Sequence, residues 1–323
     1  MIYGQWALAL NLITVGVLAF IVANVFVSIS FWLVKNKFQN YSVSTRKSLL
    51  WLSVLAPWLI ALCVTLFFSP LFQNGSVFLW LTEFAHWHHS DIFYFVSWHS
   101  ASLFIFISFT LFTFIQKTTL LYRNHNQINL LRELGTEKSK YVYVIESSIP
   151  TAFTGGVINP SCFISSGLIE QTNADEIEII TQHELAHVHH LDPLKKWLFL
   201  LFTAFFAKNV KQVLISMMSL SMEQAADSFY VKNQQQSTNV ASTLVKFTKL
   251  ASNYAIHPEY KSELFVHFCR YSIEQRVLHL LDDKQFRPFP MTGVVIAIIL
   301  LALISTTSVD SLHHVIETLF THE

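Results

Sequence analysis

Four long stretches of this chain contain no charged residue, and they constrain its fold more than any other feature. Each includes an apolar run of about 20 residues or more, which is long enough to cross a bilayer as a helix. Only 13% of all residues are charged, whereas about 25% is usual for a soluble protein. The charge-free stretches cover residues 1–34, 48–82, 92–116 and 288–309. We expect transmembrane helices at about 6–34, 49–72, 92–115 and 290–309.

The basic residues indicate how these helices are oriented. Four lysines and arginines lie between the first two spans, and all the others lie between residues 117 and 287. In membrane proteins, short loops rich in positive charge face the cytoplasm. We therefore expect a multi-pass protein of the bacterial inner (plasma) membrane, with residues 116–289 in the cytoplasm and both termini outside.

The first part of this cytoplasmic segment contains three stretches rich in β-forming residues, Tyr141–Glu146, Ala152–Gly156 and Cys162–Ser165. They predict a small antiparallel sheet with an exposed edge, where an extended peptide substrate could add as a strand. At that edge, Gly155 and Gly156 either allow close approach of the peptide backbone or mark a bulge or turn.

The sequence His-Glu-Leu-Ala-His at residues 183–187 is the clearest functional motif. On a helix, His183 and His187 lie on one face, so both imidazoles can bind a single metal ion. Glu184 lies beside the first histidine, where its carboxylate can take a proton from a metal-bound water. Asn173 and the acidic residues after it predict the start of this helix. The motif predicts one catalytic Zn²⁺ ion, with Glu184 as the general base.

A catalytic zinc ion usually has three protein ligands and leaves a fourth position for water. A histidine shortly after the motif cannot supply the third ligand, because Pro193 occupies the matching place with no glycine before it. Glu223, on a predicted second helix, suits this role, and Asp227 lies one turn later on the same face. Asp227 could accept a hydrogen bond from a zinc-bound imidazole and so fix its ring. The alternative is that both acids are solvated charges on a helix surface.

Two apolar segments follow the motif, Trp197–Phe206 and Val213–Leu220, with two lysines between them. Each is too short to span a bilayer alone. We expect membrane-associated helices at about 197–220 that lie against or partly within the inner leaflet, or else a re-entrant hairpin. Beyond the last span, residues 310–323 would form a short outer tail.

These features resemble the BlaR/MecR-type membrane metallopeptidases, the antirepressor family of bacterial signal transducers. As in that family, three spans are followed by an HExxH domain, a helix with the pattern Glu-x-x-Ala-Asp and a final span. Gly155-Gly156 and Asn159-Pro160 before the motif, and Asp192 after it, match the local pattern as well. The expected fold is an α-helical integral membrane protein with a cytoplasmic α+β zincin-type metalloprotease domain.

The resemblance also implies the activity and the role of each site residue. It implies a zinc endopeptidase that responds to an outer signal by cleaving itself or a cytoplasmic regulator, often a transcriptional repressor. Carried over residue by residue, the three zinc ligands would be His183, His187 and Glu223. Glu184 would be the general base, and Asp227 would orient a ligand.

One departure from the family concerns sensing. The family's antibiotic receptors carry a large outer sensor domain after the last span, and residues 310–323 are too few to form one. A signal would instead act through the spans, the loop at residues 72–91, the tail or a partner protein.

Two other functions fit the same motifs. The first is a membrane quality-control protease resembling the HtpX and CAAX-prenyl-protease family, which shares the HExxH and Glu-x-x-Ala-Asp patterns. Three spans before the motif favour the antirepressor family instead. The second possible function is that of a non-catalytic membrane receptor whose zinc site is structural. The presence of Glu184 beside three ligands argues against it, because a structural site normally fills its fourth position with protein. No nucleic-acid-binding pattern is present, so the expected partners are a protein substrate and the lipid bilayer.

Overall fold

The computed structural model describes residues 1–70, 92–254, 273–282 and 286–320. Most of these residues are helical, and four helices are long and apolar enough to cross a membrane. In chain order the helices are α1 (Gln5–Val34), α2 (Val43–Phe67), α3 (Trp98–Leu134), α4 (Ser166–Gln171), α5 (Ala174–His189), α6 (Asp192–Phe202), α7 (Lys208–Asp227), α8 (Gln234–Tyr254), α9 (273–281) and α10 (Met291–Phe320).

The four membrane-length helices are α1, α2, α3 and α10, at the places predicted. The bounds of α2 differ from the prediction. It begins at Val43 rather than at residue 49, because the hydroxyl of Ser42 accepts a hydrogen bond from the backbone N–H of Thr45 and caps the helix. It ends at Phe67 rather than at residue 72, and most of the predicted outer loop lies outside the described residues.

The third and fourth spans also differ from the prediction. Residues 92 and 93 do not begin α3. A short strand β1 (Ile2–Tyr3) pairs antiparallel with β2 (Ile92–Phe93), and α3 starts after it at Trp98. α3 then continues without a break to Leu134, well beyond residue 115, where the predicted span ends. α10 continues to Phe320, so the predicted tail is helical up to that residue.

A four-stranded sheet precedes the motif helix, and its predicted topology was wrong. The strands are β3 (Thr136–Ser139), β4 (Val142–Ile145), β5 (Ala152–Gly155) and β6 (Ser161–Ser165). They lie in the order β3-β4-β6-β5, and β4 runs parallel to β6, so the sheet is mixed rather than antiparallel. Every residue of β6 is buried, whereas β5 is half-buried. The more apolar strand therefore takes the inner position beside β4, and β5 forms an edge.

Gly156, directly after the edge strand β5, has a backbone that other residues rarely adopt. Its φ is 95°, and an added Cβ would lie 2.6 Å from the carbonyl oxygen of Asn159. We expect Gly156→Ala to lower the free energy of unfolding by about 1–3 kcal/mol, seen as a lower Tm of the purified protein in detergent. Gly293→Ala in α10, where no atom lies within 4 Å of an added Cβ, is the control. Equal effects of the two substitutions would contradict this argument.

The helices α6 and α7 form a hairpin whose tip is the 3₁₀ segment Thr203–Phe205. The ring centroid of Phe205 lies 5.5 Å from that of Phe20 and 5.0 Å from that of Trp58. Phe20 is halfway along α1, and buried residues of the hairpin share one apolar cluster with α1 and α2. The hairpin therefore inserts between the membrane-length helices instead of resting on their ends. Whether the hairpin lies against the inner leaflet or enters the bilayer stays a prediction.

Candidate metal centre

The motif helix α5 begins at a hydrogen-bonded cap, which confirms its predicted start. Oδ1 of Asn173 accepts a hydrogen bond from the backbone N–H of Glu176 at 2.8 Å, and Oε2 of Glu176 accepts one from the backbone N–H of Asn173 at 2.9 Å. This capping box satisfies N–H groups that the first helical turn leaves unpaired. Hydrogen bonds from Lys246 and Asn173 also hold the pKa of Glu176 below its usual range.

Two histidines of α5 and one glutamate of α7 meet at a single point. Nε2 of His183 lies 3.3 Å from Nε2 of His187. The two nitrogens lie 3.5 Å and 3.7 Å from the carboxylate oxygens of Glu223. One potential ligand atom from each residue falls within 4.8 Å of the others. Two imidazoles and a carboxylate are the donors that zinc accepts in catalytic sites, so these residues fit a zinc ion.

The second ring nitrogen of each histidine faces a carboxylate. Nδ1 of His183 lies 3.0 Å from Oδ1 of Asp227, and Nδ1 of His187 lies 2.7 Å from Oδ2 of Asp192. Each carboxylate therefore holds its ring with Nε2 turned towards Glu223. Metal-binding histidines depend on such partners for ring orientation and basicity.

Asp192 reaches His187 because the chain turns sharply after α5. Leu191 has a φ of 52°, in the left-handed region, which costs about 1–2 kcal/mol for a residue other than glycine. Pro193 then fits the first turn of α6. In the sequence, Asp192 stood out only as part of a family pattern, and its contact with His187 was not predicted. The sequence feature that could have indicated this contact is the position of Asp192, shortly after the motif and directly before Pro193.

Arg276, on α9, pairs with both acidic residues of α7. Its guanidinium lies 3.0 Å from Glu223 and donates to the two carboxylate oxygens of Asp227 at 2.8 Å and 2.6 Å. Burial acts to raise the pKa of Glu223, but Arg276 and the two histidines outweigh it and hold that pKa well below its usual range. Burial of Asp227 is likewise outweighed, by Arg276 and His183, and its pKa is lowered. Both acids are therefore ionised at neutral pH.

The carboxylate of Glu184 is buried against the sheet. Oγ1 of Thr154 lies 2.8 Å from Oε2 of Glu184 and 2.8 Å from its carbonyl oxygen. Because Thr154 is in β5, this contact links the candidate base to the edge strand. Thr154 was not predicted as a site residue, since a threonine in a strand is common and its partner Glu184 is distant in sequence.

The electrostatics of His183 predict that metal binding releases a proton. Burial opposes its protonation, but contacts with Asp227 and Glu223 raise the pKa of the ring to about 10. This proton stabilises the metal-free protein fully below pH about 6.5, and the contribution is lost as the pH rises through about 10. Zinc binds only the neutral imidazole.

Adding Zn²⁺ to the metal-free protein at pH 8 should therefore acidify a weakly buffered solution that contains a pH indicator. Asp227→Asn, which removes one cause of the raised pKa, should release less acid at the same pH. No acidification by the wild-type protein on zinc binding would contradict the prediction.

The structure thus brings His183, His187, Glu223 and Asp227 into contact, with Glu184 next to the first of them on α5. Gly155 and Gly156 have local explanations. An added Cβ at Gly155 would collide with Ile128 of α3, and Gly156 makes the turn after β5. A contact between either glycine and a substrate stays a prediction.

Comparisons with known proteins agree with this arrangement. Residues 82–280 match the model of the family described as BlaR1 peptidase M56. Protease HtpX of Legionella pneumophila subsp. pneumophila (strain Philadelphia 1) is 40% identical over 80 residues, and the same protease of strain Corby is 39% identical over 80 residues. Each match covers 23% of this chain and 28% of the relative, so the chain spans less than a third of the curated relatives it matches. No solved structure matches the chain.

The family model covers more than half of the chain, including the sheet, the motif helix and both helices that supply Glu223 and Arg276. The chain belongs to the BlaR1 peptidase M56 family.

Proposed function

We propose that this protein is a zinc-dependent membrane endopeptidase of the antirepressor type. The observation that carries the proposal is the meeting of His183, His187 and Glu223, each held by a second charged group. The buried Glu184 follows His183 directly on the same helix. Three protein ligands leave a position open for the reaction, as catalytic zinc sites require.

A bound zinc ion would supply a Lewis acid that polarises the scissile carbonyl group. Glu184 would take a proton from the attacking water and pass it to the leaving amine. Thr154 would hold the Glu184 carboxylate through the hydrogen bond at 2.8 Å. Asp227 and Asp192 would keep the two imidazoles in the orientation that exposes Nε2.

The edge strand β5 is the proposed place for the substrate backbone. Among the residues that the structure describes, β5 pairs with β6 alone, so its other edge would be available to an extended peptide. Thr154 links this strand to Glu184, which would place the peptide beside the proposed base. Gly155 and Gly156 would border the same edge.

For the biological role, we propose a catalytic side in the cytoplasm of a bacterium and both termini outside. The support is the distribution of basic residues, which all lie either between the first two predicted spans or between the third and the fourth. The substrate would be the chain itself or a cytoplasmic transcriptional repressor, and a partner protein could take part in sensing.

A second candidate is a quality-control protease that degrades damaged membrane proteins. The observation in its favour is the 40% identity to Protease HtpX over 80 residues. The family model covers far more of the chain and favours the antirepressor role.

Proteomics of new protein N-termini separates the two roles. Bacterial cells would express the wild type, Glu184→Gln or Glu178→Gln, a matched substitution at an exposed position of α5. An antirepressor should show a few cleavages, in a DNA-binding regulator or in this chain, that Glu184→Gln alone abolishes. Loss of fragments from many membrane proteins would indicate quality control. Identical N-termini in all three strains under every condition tested would contradict a protease.

A further inference from the structure

A buried arginine at the start of a membrane-length helix contacts the helix that carries Glu223. Arg46 lies near the beginning of α2 and is 6% exposed. Its Nη2 donates a hydrogen bond of 2.7 Å to Oε1 of Gln224, the residue directly after Glu223. Gln224 is equally buried, at 4% exposed. A hydrogen bond from a charged group across a buried contact is strong, because little water competes for it.

The other end of the Gln224 side chain continues the connection. Its Nε2 donates to the carbonyl oxygen of Gln275 at 3.0 Å. The next residue, Arg276, binds Glu223 and Asp227 with its guanidinium. Hydrogen bonds therefore connect α2 to α7 and α7 to α9, and Arg276 of α9 contacts the carboxylate of Glu223. Because both ends of the Gln224 amide are in use, its orientation is fixed.

Burial of the charged Arg46 side chain is unfavourable in free energy. Among the residues that the structure describes, Arg46 forms no ion pair, and its Nε has no hydrogen-bond partner. A buried charge with only a neutral acceptor is unfavourable, and apolar replacement of such groups is often neutral or stabilising. Stability alone therefore does not account for Arg46, whereas a need to fix the geometry beside Glu223 does.

We propose that Arg46 is a positioning residue for the metal centre. Through Gln224 and the backbone at residues 275–276, it sets the orientation of the Glu223 carboxylate. Movement of α2 relative to α7 would then alter the metal site directly. This inference rests on the proposed function, because it assigns Arg46 a role towards the zinc ligand Glu223.

The test compares Arg46→Met, Arg46→Lys, Gln224→Met and the double variant Arg46→Met/Gln224→Met in the full chain. Zn²⁺ affinity is measured by competition with a chromophoric chelator, and the ligand geometry by the visible spectrum of the Co²⁺-substituted protein. Cleavage of a quenched peptide library gives kcat and KM. The double variant replaces the pair by apolar side chains and should fold even if Arg46→Met does not.

We expect Arg46→Met to weaken Zn²⁺ binding by about 10–100-fold, the range for groups that orient metal ligands, and to shift the Co²⁺ spectrum. It should lower kcat with little change in KM, and Arg46→Lys should restore part of the affinity. The double variant should be no worse than the more impaired single variant, because both substitutions break one connection.

Arg123→Met, at an exposed arginine of α3, should change none of these readouts. The proposal is overturned if the double variant binds Zn²⁺ and Co²⁺ as the wild type does, or if the two single effects simply add. The metal readouts do not depend on turnover. If Glu184→Gln hydrolysed peptides at the wild-type rate, the proposed function would fail, but the role of Arg46 towards the metal would still be decided.

Discussion

Replacing Glu184 by glutamine should remove peptide hydrolysis while leaving zinc in place. Glutamine keeps the size of the side chain and can still bond to Thr154, but it cannot take a proton from water. We expect kcat to fall by about 10²–10⁴-fold, the usual contribution of a general base. The measurement is cleavage of a quenched peptide library by purified protein in liposomes, with the zinc content determined on the same sample.

Glu178→Gln is the matched control for this experiment, since Glu178 is an exposed glutamate on the same helix. It should retain wild-type turnover and zinc content. A Glu184→Gln variant that binds zinc and turns over like the wild type would falsify the assignment of the base.

Replacing Glu223 by glutamine should impair the protein in a different way. The neutral amide is a poorer zinc ligand than the carboxylate, and it leaves Arg276 with one of its two acidic partners. Substitution of a group that only orients a metal ligand typically weakens metal binding by about 10–100-fold. We expect Glu223→Gln to weaken zinc binding by more than this, because Glu223 is itself a proposed ligand. Turnover should fall with it, and a higher concentration of free zinc should restore part of the activity.

That partial recovery distinguishes Glu223→Gln from Glu184→Gln, whose loss of turnover should not respond to zinc. Activity is measured over a series of buffered zinc concentrations. Glu170→Gln, at an exposed glutamate of α4, is the control and should follow the wild-type curve. Wild-type zinc affinity in Glu223→Gln would exclude Glu223 as a ligand.

The parts of this molecule that could be predicted are those determined by local sequence. The four spans follow from charge-free stretches, because a charge in the bilayer interior is costly. The spacing of His183 and His187 places both on one helical face, and Asn173 with Glu176 fixes where that helix begins. Glu223 and Asp227 share a face for the same reason. Local sequence was sufficient for all of these.

The parts that could not be predicted depend on contacts between distant segments. The parallel pair β4–β6 results from competition among strands for the buried position, which no single strand reveals. Thr154 and Arg276 approach the site only after the sheet and α9 have packed on it. Arg276 is distant in sequence from both acidic residues that it contacts. Its role as a partner of two carboxylates required the tertiary structure.

The hairpin of α6 and α7 has a consequence for how lipids affect this peptidase. Its tip is packed among aromatic rings halfway along α1, and Glu223 lies near the other end of the same rigid helix, α7. Membrane helices respond to a thicker or thinner bilayer by tilting. A tilt of α1 and α2 would displace the tip, and α7 would carry that displacement to Glu223. We therefore expect the acyl-chain length of the surrounding phospholipids to affect the position of Glu223 in the metal centre.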